Sequence, residues 1–366
     1  MIKHLYPLAF IFVSMVTVST AQNFSATELS INRHVDGTLL TPDGIEQPPL
    51  VIFIAGSGPT DRNGNQALMK NNMLKKLAES LSERGFATFR YDKRVVKQLR
   101  TRNLNKNIRF DDFVTDAKSV INHFKSTYSN LIVAGHSQGS LVGLLALDAG
   151  ANGFISLAGA ANSIDQIILE QISKSAPFFT ADTKRVLDLL KSGQTTTDFP
   201  PALSSIFNLD LQPFMSNWMQ YNPKDLIKKL EIPVLIINGT KDLQVAITEA
   251  QQLKEAKEEA QLEIIENMNH LLFEINGDDL VNSKSYNNNS YVVMPQVIEI
   301  ITAFTIGFIF IVASGGIGKQ FIFSAGEVTA FIMLVNQFYR PIRTMADRYN
   351  AIQMGLVSAN RIFNLL

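Results

Sequence analysis

Residues 132–140 read "IVAGHSQGS", and whether Ser137 stands in a sharp strand-to-helix turn or in an ordinary loop decides the fold. The spacing G-x-S-x-G arises by chance in roughly one chain in ten of this size, so its flanks must settle the matter. Upstream, "NLIVA" is a short apolar run of the kind that forms a strand buried on both faces, and downstream a helix is expected from near Ser140. Gly135 and Gly139 would permit a crowded turn that lifts the serine hydroxyl over the sheet, at the positive end of a helix.

The same unit recurs on either side. "PPLVIFIAG" and "FATFRYD" read as strands, separated by "NMLKKLAESLSERG", in which Met73, Leu74, Leu77, Ala78 and Leu81 share one helical face and Gly85 ends it. "FDDFVTDAKSVINHFKS" is helical, with Phe110, Phe113, Ala117, Val120, Ile121 and Phe124 facing inward. Beyond Ser137 come a helix in "LVGLLALDAG", a strand in "GFISLAG", and the strands "IPVLIING" and "AQLEIIEN" separated by the helix "ITEAQQLKEAKEEA". Strands alternating with helices need crossover connections, so the expected fold class is α/β: a doubly wound, mostly parallel sheet covered on both faces. Before it, Glu28 to Thr41 alternates and is broken by "VDG", as in an edge hairpin. From about 160 to 231 the alternation lapses into Phe- and Met-containing helical segments, expected as a cap above the strand ends or as an ordinary helical excursion.

A serine alone is a weak nucleophile; it needs a base within reach and an acid to orient that base. The chain has five histidines. His4 lies in the N-terminal apolar segment, His34 in the early hairpin, His123 in a helix and His136 beside Ser137, which leaves His270 in "ENMNHLLFE". Asp242, in "VLIINGTKDLQV", follows a strand, where a carboxylate can accept the imidazole N–H and fix its tautomer. An aspartate in such a loop is by itself more often a turn residue, and a lone histidine can simply cap a helix. The order Ser137, Asp242, His270, each after its own strand, makes coincidence hard to sustain. For a developing oxyanion, the backbone N–H of Gln138 and, from the glycine-rich "IAGSGPTDRNGN", that of Ser57 are the candidate donors. That loop lacks the spacing of a phosphate-binding loop.

Composition narrows the classes further. Thirty-three basic residues balance thirty-three acidic ones among 366, which speaks against nucleic acid as a partner. The chain has no cysteine, so disulfides, zinc–thiolate sites and a thiol nucleophile are excluded together. No cofactor or metal is expected. "MIKHLYPLAFIFVSMVTVSTAQN" has the pattern of a secretory signal peptide over residues 1–21, with an N-terminal anchor helix as the alternative; either places the following chain outside the cytoplasmic membrane, in the periplasm or cell envelope.

From about 22 to 304 the chain resembles the α/β-hydrolase superfamily, and "GSGPTDRNGN", "FRYDKR", "AGHSQGS", "SLAGAANSIDQIILEQI" and "GTKDLQV" followed by "MNH" are similar to the EstD-like bacterial carboxylesterases. The resemblance implies hydrolysis of small-molecule esters through an acyl-serine, with Ser137 as nucleophile, His270 as base then acid, and Asp242 as orienter. One departure stands out: where that family usually continues "YDKRG", this chain has "YDKRVV".

Past Tyr291 the character changes. Ile300 to Gly318 is an uncharged apolar run long enough to be considered a membrane span. "GEVTAFIMLVNQFYRPIRTMADRYNAIQMGLVSANRIFNLL" resembles the last transmembrane helix and linker of ABC exporters. The expectation is a helical, membrane-type tail over 305–366. A single crossing near 321–339 would suit its arginines if "QVIEIITAF" is the last helix of the preceding domain. "ASGGIGKQ" has Ala313 and Gln320 where a phosphate loop needs glycine and a hydroxyl residue, so no ATP binding is expected. The alternative function is a membrane component related to ABC-type transport that carries the hydrolase domain.

Overall fold

The computed structural model describes residues 23–313. The leader segment and nearly all of the exporter-like tail lie outside them. Eight strands form one sheet in the order β1-β2-β4-β3-β5-β6-β7-β8. They are β1 (Phe24–Ser30), β2 (Asp36–Pro42), β3 (Leu50–Ile54), β4 (Ala87–Tyr91), β5 (Leu131–His136), β6 (Gly153–Leu157), β7 (Val234–Gly239) and β8 (Gln261–Ile265). β2 runs antiparallel to β1 and β4, and every pairing from β4 across to β8 is parallel. This is the α/β architecture expected from the alternation of elements, with the antiparallel hairpin at one edge.

The strands β3 to β7 are buried along their whole length, because helices cover both faces. Successive side chains divide between two cores: Leu50, Ile52 and Ile54 enter one, Val51 and Phe53 the other. α1 (Met73–Ser82) and α12 (Pro295–Ala313) pack on the second face; α3 (Phe110–Phe124), α4 (Gln138–Ala146) and α10 (Ile247–Ala256) pack on the first. The apolar stripes expected on α1 and α3 are the faces they bury. In α12, Val297, Ile298 and Ile301 are buried in the second core. "QVIEIITAF" is therefore a helix of the sheet domain, and among the described residues no helix is both long and apolar enough to cross a membrane.

Between β6 and β7 lie α5 (Ile164–Ser175), α6 (Thr180–Lys191), α7 (Ser204–Phe207), α8 (Gln212–Trp218) and α9 (Pro223–Ile227). This insertion encloses a core of its own, including Ile168, Val186, Leu190, Phe207 and Met215. Three details differ from the expected pattern. The hairpin turns at Ile31–Val35 rather than at "VDG", because the Asn32 carboxamide accepts from the backbone N–H groups of His34 (2.8 Å) and Val35 (3.1 Å) and leaves Asp36 and Gly37 in β2. α2 (Arg94–Arg100) follows β4 directly, and α11 (Asp279–Ser285) precedes α12; neither carries a long apolar period. α4 begins at Gln138, immediately after the serine and ahead of the expected Ser140.

Candidate active site

Parallel strands send their carboxyl ends to one edge of a sheet, and the loops leaving that edge carry the candidate residues. Ser57 follows β3, Ser137 follows β5, Asp242 follows β7 and His270 follows β8. Ser137 has φ 54° and ψ −122°, a conformation that a residue with a side chain adopts only when its surroundings over-determine it. Those surroundings are tight. A methyl group at Gly135 would overlap the backbone of Gly139, and one at Gly139 would overlap the carbonyl oxygens of Ile54 and Ala55. The turn is further held by Ser137 N–H donating to Leu157 O (2.9 Å) and Ser140 N–H to Ser137 O (2.9 Å). α4 thus starts under the serine, with its unpaired N–H groups at that end.

His270 Nδ1 lies 2.8 Å from Asp242 Oδ2, with the two side chains 3% and 1% exposed. The other Asp242 oxygen accepts from the backbone N–H groups of Gln244 (2.8 Å) and Val245 (2.9 Å), so the carboxylate is fixed before it meets the imidazole. Glycine at 239 lets the His270 loop lie directly on the end of β7, since a side chain there would strike Met268 O. Asn269 ties the loop down: Oδ1 accepts from Leu271 and Phe273 N–H, and Nδ2 donates to Asn282 Oδ1 and Ser285 Oγ. His136 adds a further restraint that spacing does not reveal. Its Nε2–H donates to His270 O at 2.8 Å, and burial, reinforced by the nearby His270, pulls its pKa down to about 3, so it is neutral at physiological pH.

Ser57, Ser137 and His270 line one cavity of about 260 Å³, together with Gly56, His136 and Gln244. Ser57, Ser137 and Gln138 also line an adjoining cavity of about 370 Å³, whose apolar wall includes Leu141, Ile164, Ile167, Trp218 and Val245. The insertion between β6 and β7 therefore supplies part of a pocket over the strand ends. The structure brings Asp242 and His270 into hydrogen bond and sets Ser137 and His270 in the same cavity wall. Among the described residues, no hydrogen bond joins the Ser137 hydroxyl to the His270 ring; such contacts often tighten only once substrate is bound. The described residues contain no cluster of His, Cys, Asp or Glu suited to a metal ion.

The segment "YDKRVV" resolves into separate tasks. Asp92 accepts from Arg62 N–H (2.9 Å), Arg62 Nη2 (2.9 Å) and Arg100 Nη1 (2.6 Å). Arg94 forms a fork onto Asp116 at 2.7 and 2.8 Å and reaches Asp112 at 2.6 Å. Lys93 is buried behind the cavity, where it meets Gly56 O and the Gln138 side chain. Val95 and Val96 lie in the first turn of α2, and Val96 is buried.

Comparison with known proteins follows this architecture. Esterase EstD from Thermotoga maritima is 26% identical over 263 residues, covering 69% of this chain and 61% of that protein, so the chain spans about three-fifths of its relative's length. A solved structure of Est1E from Butyrivibrio proteoclasticus superposes with a TM-score of 0.50 at 17% identity, covering 78% of this chain and 99% of that one; the likeness speaks for the fold. A separate match of 71 residues, 18% of this chain, is 35% identical to a fatty acid ABC transporter ATP-binding/permease protein of Mycobacterium tuberculosis and covers 11% of that protein. The BD-FAE family model matches residues 39–256, more than half of the chain, from within β2 to the end of α10. The chain belongs to the BD-FAE family.

Proposed function

We propose that this protein is a serine hydrolase that cleaves small carboxylic esters through an acyl-serine intermediate. The observation that carries the proposal is the buried Asp242–His270 pair opening onto a cavity whose wall includes Ser137. With Nδ1–H donated to Asp242, the His270 Nε2 lone pair is free to act as a base. Ser137 Oγ attacks the ester carbonyl carbon as its proton passes to Nε2, and the carbonyl oxygen becomes an oxyanion facing the N–H groups of Gln138 and Ser57. The tetrahedral species collapses, the C–O bond to the alcohol breaks, and His270 returns the proton to the departing alkoxide. Water, deprotonated by the same nitrogen, then releases the acid and regenerates the serine.

The adjoining cavity supports small substrates, since about 370 Å³ sits at the low end of the range for organic-ligand pockets. The test is hydrolysis of p-nitrophenyl acetate and butyrate by the full chain and by Ser137→Ala. Loss of the nucleophile should lower kcat by several orders of magnitude; equal rates would overturn the proposal. The leader pattern and the exporter-like tail support export and attachment to the cell envelope. Fractionation of cells expressing the full chain should place it there, and recovery wholly from the cytosol would overturn that part.

A further inference from the structure

Lys93 leaves the end of β4, and only 6% of it is exposed. Its ammonium donates to Gly56 O at 2.9 Å and to Gln138 Oε1 at 2.8 Å, and lies 4.3 Å from the centre of the Phe113 ring. Among the described residues no carboxylate pairs with it, because the acids nearby are already engaged. Asp92 is taken by Arg62 and Arg100, and Asp112 and Asp116 by Arg94. A buried, uncompensated ammonium is costly, and burial pulls this one down to about 7. A methionine would fill the same volume without that cost, so what distinguishes lysine here is its two hydrogen bonds.

One acceptor is the carbonyl joined through its peptide unit to Ser57 N–H, and the other is the side chain of Gln138; Ser57 and Gln138 are the residues read above as oxyanion donors. Gly56 C=O and Ser57 N–H are two ends of one planar, trans peptide unit and point in opposite directions, so a bond that holds the oxygen also fixes where the N–H points. Drawing electron density toward that oxygen polarises the amide and strengthens the N–H as a donor. Gln138 opens α4, and its side chain is tied to the same ammonium. We infer that Lys93 is the positioning residue of the oxyanion site: its side-chain nitrogen ties Gly56 O to the Gln138 side chain and so aims the Ser57 and Gln138 N–H groups at one point. The inference rests on the proposed roles of Ser57 and Gln138.

The test compares the full-length wild type, Lys93→Met, Gln138→Leu and Ser137→Ala on p-nitrophenyl butyrate, with inhibition by an alkylboronic acid, which forms a tetrahedral anion on a reactive serine. Lys93→Met should lower kcat about tenfold to a hundredfold, less than deletion of an oxyanion donor itself, with KM within about threefold. Boronate affinity should fall by a similar factor, whatever the change in Tm, because removing the buried charge and leaving its two acceptors unpaired act on stability in opposite directions. Gln138→Leu keeps the backbone N–H, breaks the same tie, and should reproduce the loss; it decides the matter if Lys93→Met does not fold. Wild-type kcat and boronate affinity in Lys93→Met, with Ser137→Ala inactive, would overturn the inference and leave the esterase proposal standing. A lower Tm with unchanged boronate affinity would mark a purely structural lysine and overturn it too. No Ser137-dependent hydrolysis in the wild type would overturn both.

Discussion

Asp242 Oδ2 and His270 Nδ1 stand 2.8 Å apart although 27 residues separate them in the chain, and two backbone N–H groups hold the opposite carboxylate oxygen. In Asp242→Asn the amide oxygen would keep those backbone bonds, so its NH₂ would face Nδ1. That favours the tautomer with the proton on Nε2, where it cannot accept from Ser137. The expected outcome is a fall in kcat of about three to four orders of magnitude with Tm nearly unchanged, read by steady-state kinetics and thermal melting.

His136 donates to His270 O, and both groups are buried. His136→Leu would leave that carbonyl without its partner. A loss of about 1–3 kcal/mol in urea unfolding is expected, together with a lower kcat and an unchanged KM. Full retention of both stability and kcat would show that the bond does not hold the His270 loop.

Gly139 and Gly193 make a contrasting pair. A methyl at Gly139 would run into the carbonyls of β3, whereas Gly193, at φ 79°, has open space around it. Gly193→Ala should therefore pay only the strain of its backbone, about 1 kcal/mol. Gly139→Ala should cost about 3 kcal/mol or more, or fail to yield folded protein.

Acid should reveal the role of Asp92. Burial alone would raise its pKa, but hydrogen bonds and charge from Arg62, with Arg100, outweigh burial and hold the carboxyl below its ordinary value. A carboxyl depressed by folding adds stability that is complete above its unfolded value of about 3.9 and disappears as pH falls through the lower folded value. Asp92→Asn should thus be less stable than wild type at pH 6, with the gap in urea midpoints closing as pH falls below about 4.

Trp218 is the only tryptophan in the sequence, and it lines the larger cavity while stacking on Phe110 at 5.4 Å. Binding of a short-chain boronic acid should change the protein's tryptophan fluorescence, excited selectively at the red edge of the absorption band, and Trp218→Phe should abolish the signal while leaving inhibition in place. A change persisting in Trp218→Phe would exclude that cavity as the source.

Much of this arrangement was legible in the chain because its signals are local. The apolar runs of β3 to β7, the stripes on α1 and α3, and the glycines at 135 and 139 each follow from neighbouring residues. The order Ser137, Asp242, His270 could be read because each residue follows its own strand. What stayed hidden depends on contacts between distant segments. His136 stands out only once the carbonyl of His270, 134 residues later, is brought beside it. Lys93 gains its place from Gly56, in the loop after β3, and from Gln138, the first residue of α4. The true hairpin turn turned on the reach of one side chain, Asn32, toward its own backbone.

The most direct measurement is covalent labelling of the full-length protein with a fluorophosphonate, followed by peptide mass spectrometry. Labelling requires an activated serine, its base and an oxyanion site together. The expected result is a single adduct on Ser137, lost in Ser137→Ala and strongly slowed in Asp242→Asn. An intact, folded protein that takes no label, or takes it elsewhere, would contradict the proposed hydrolase.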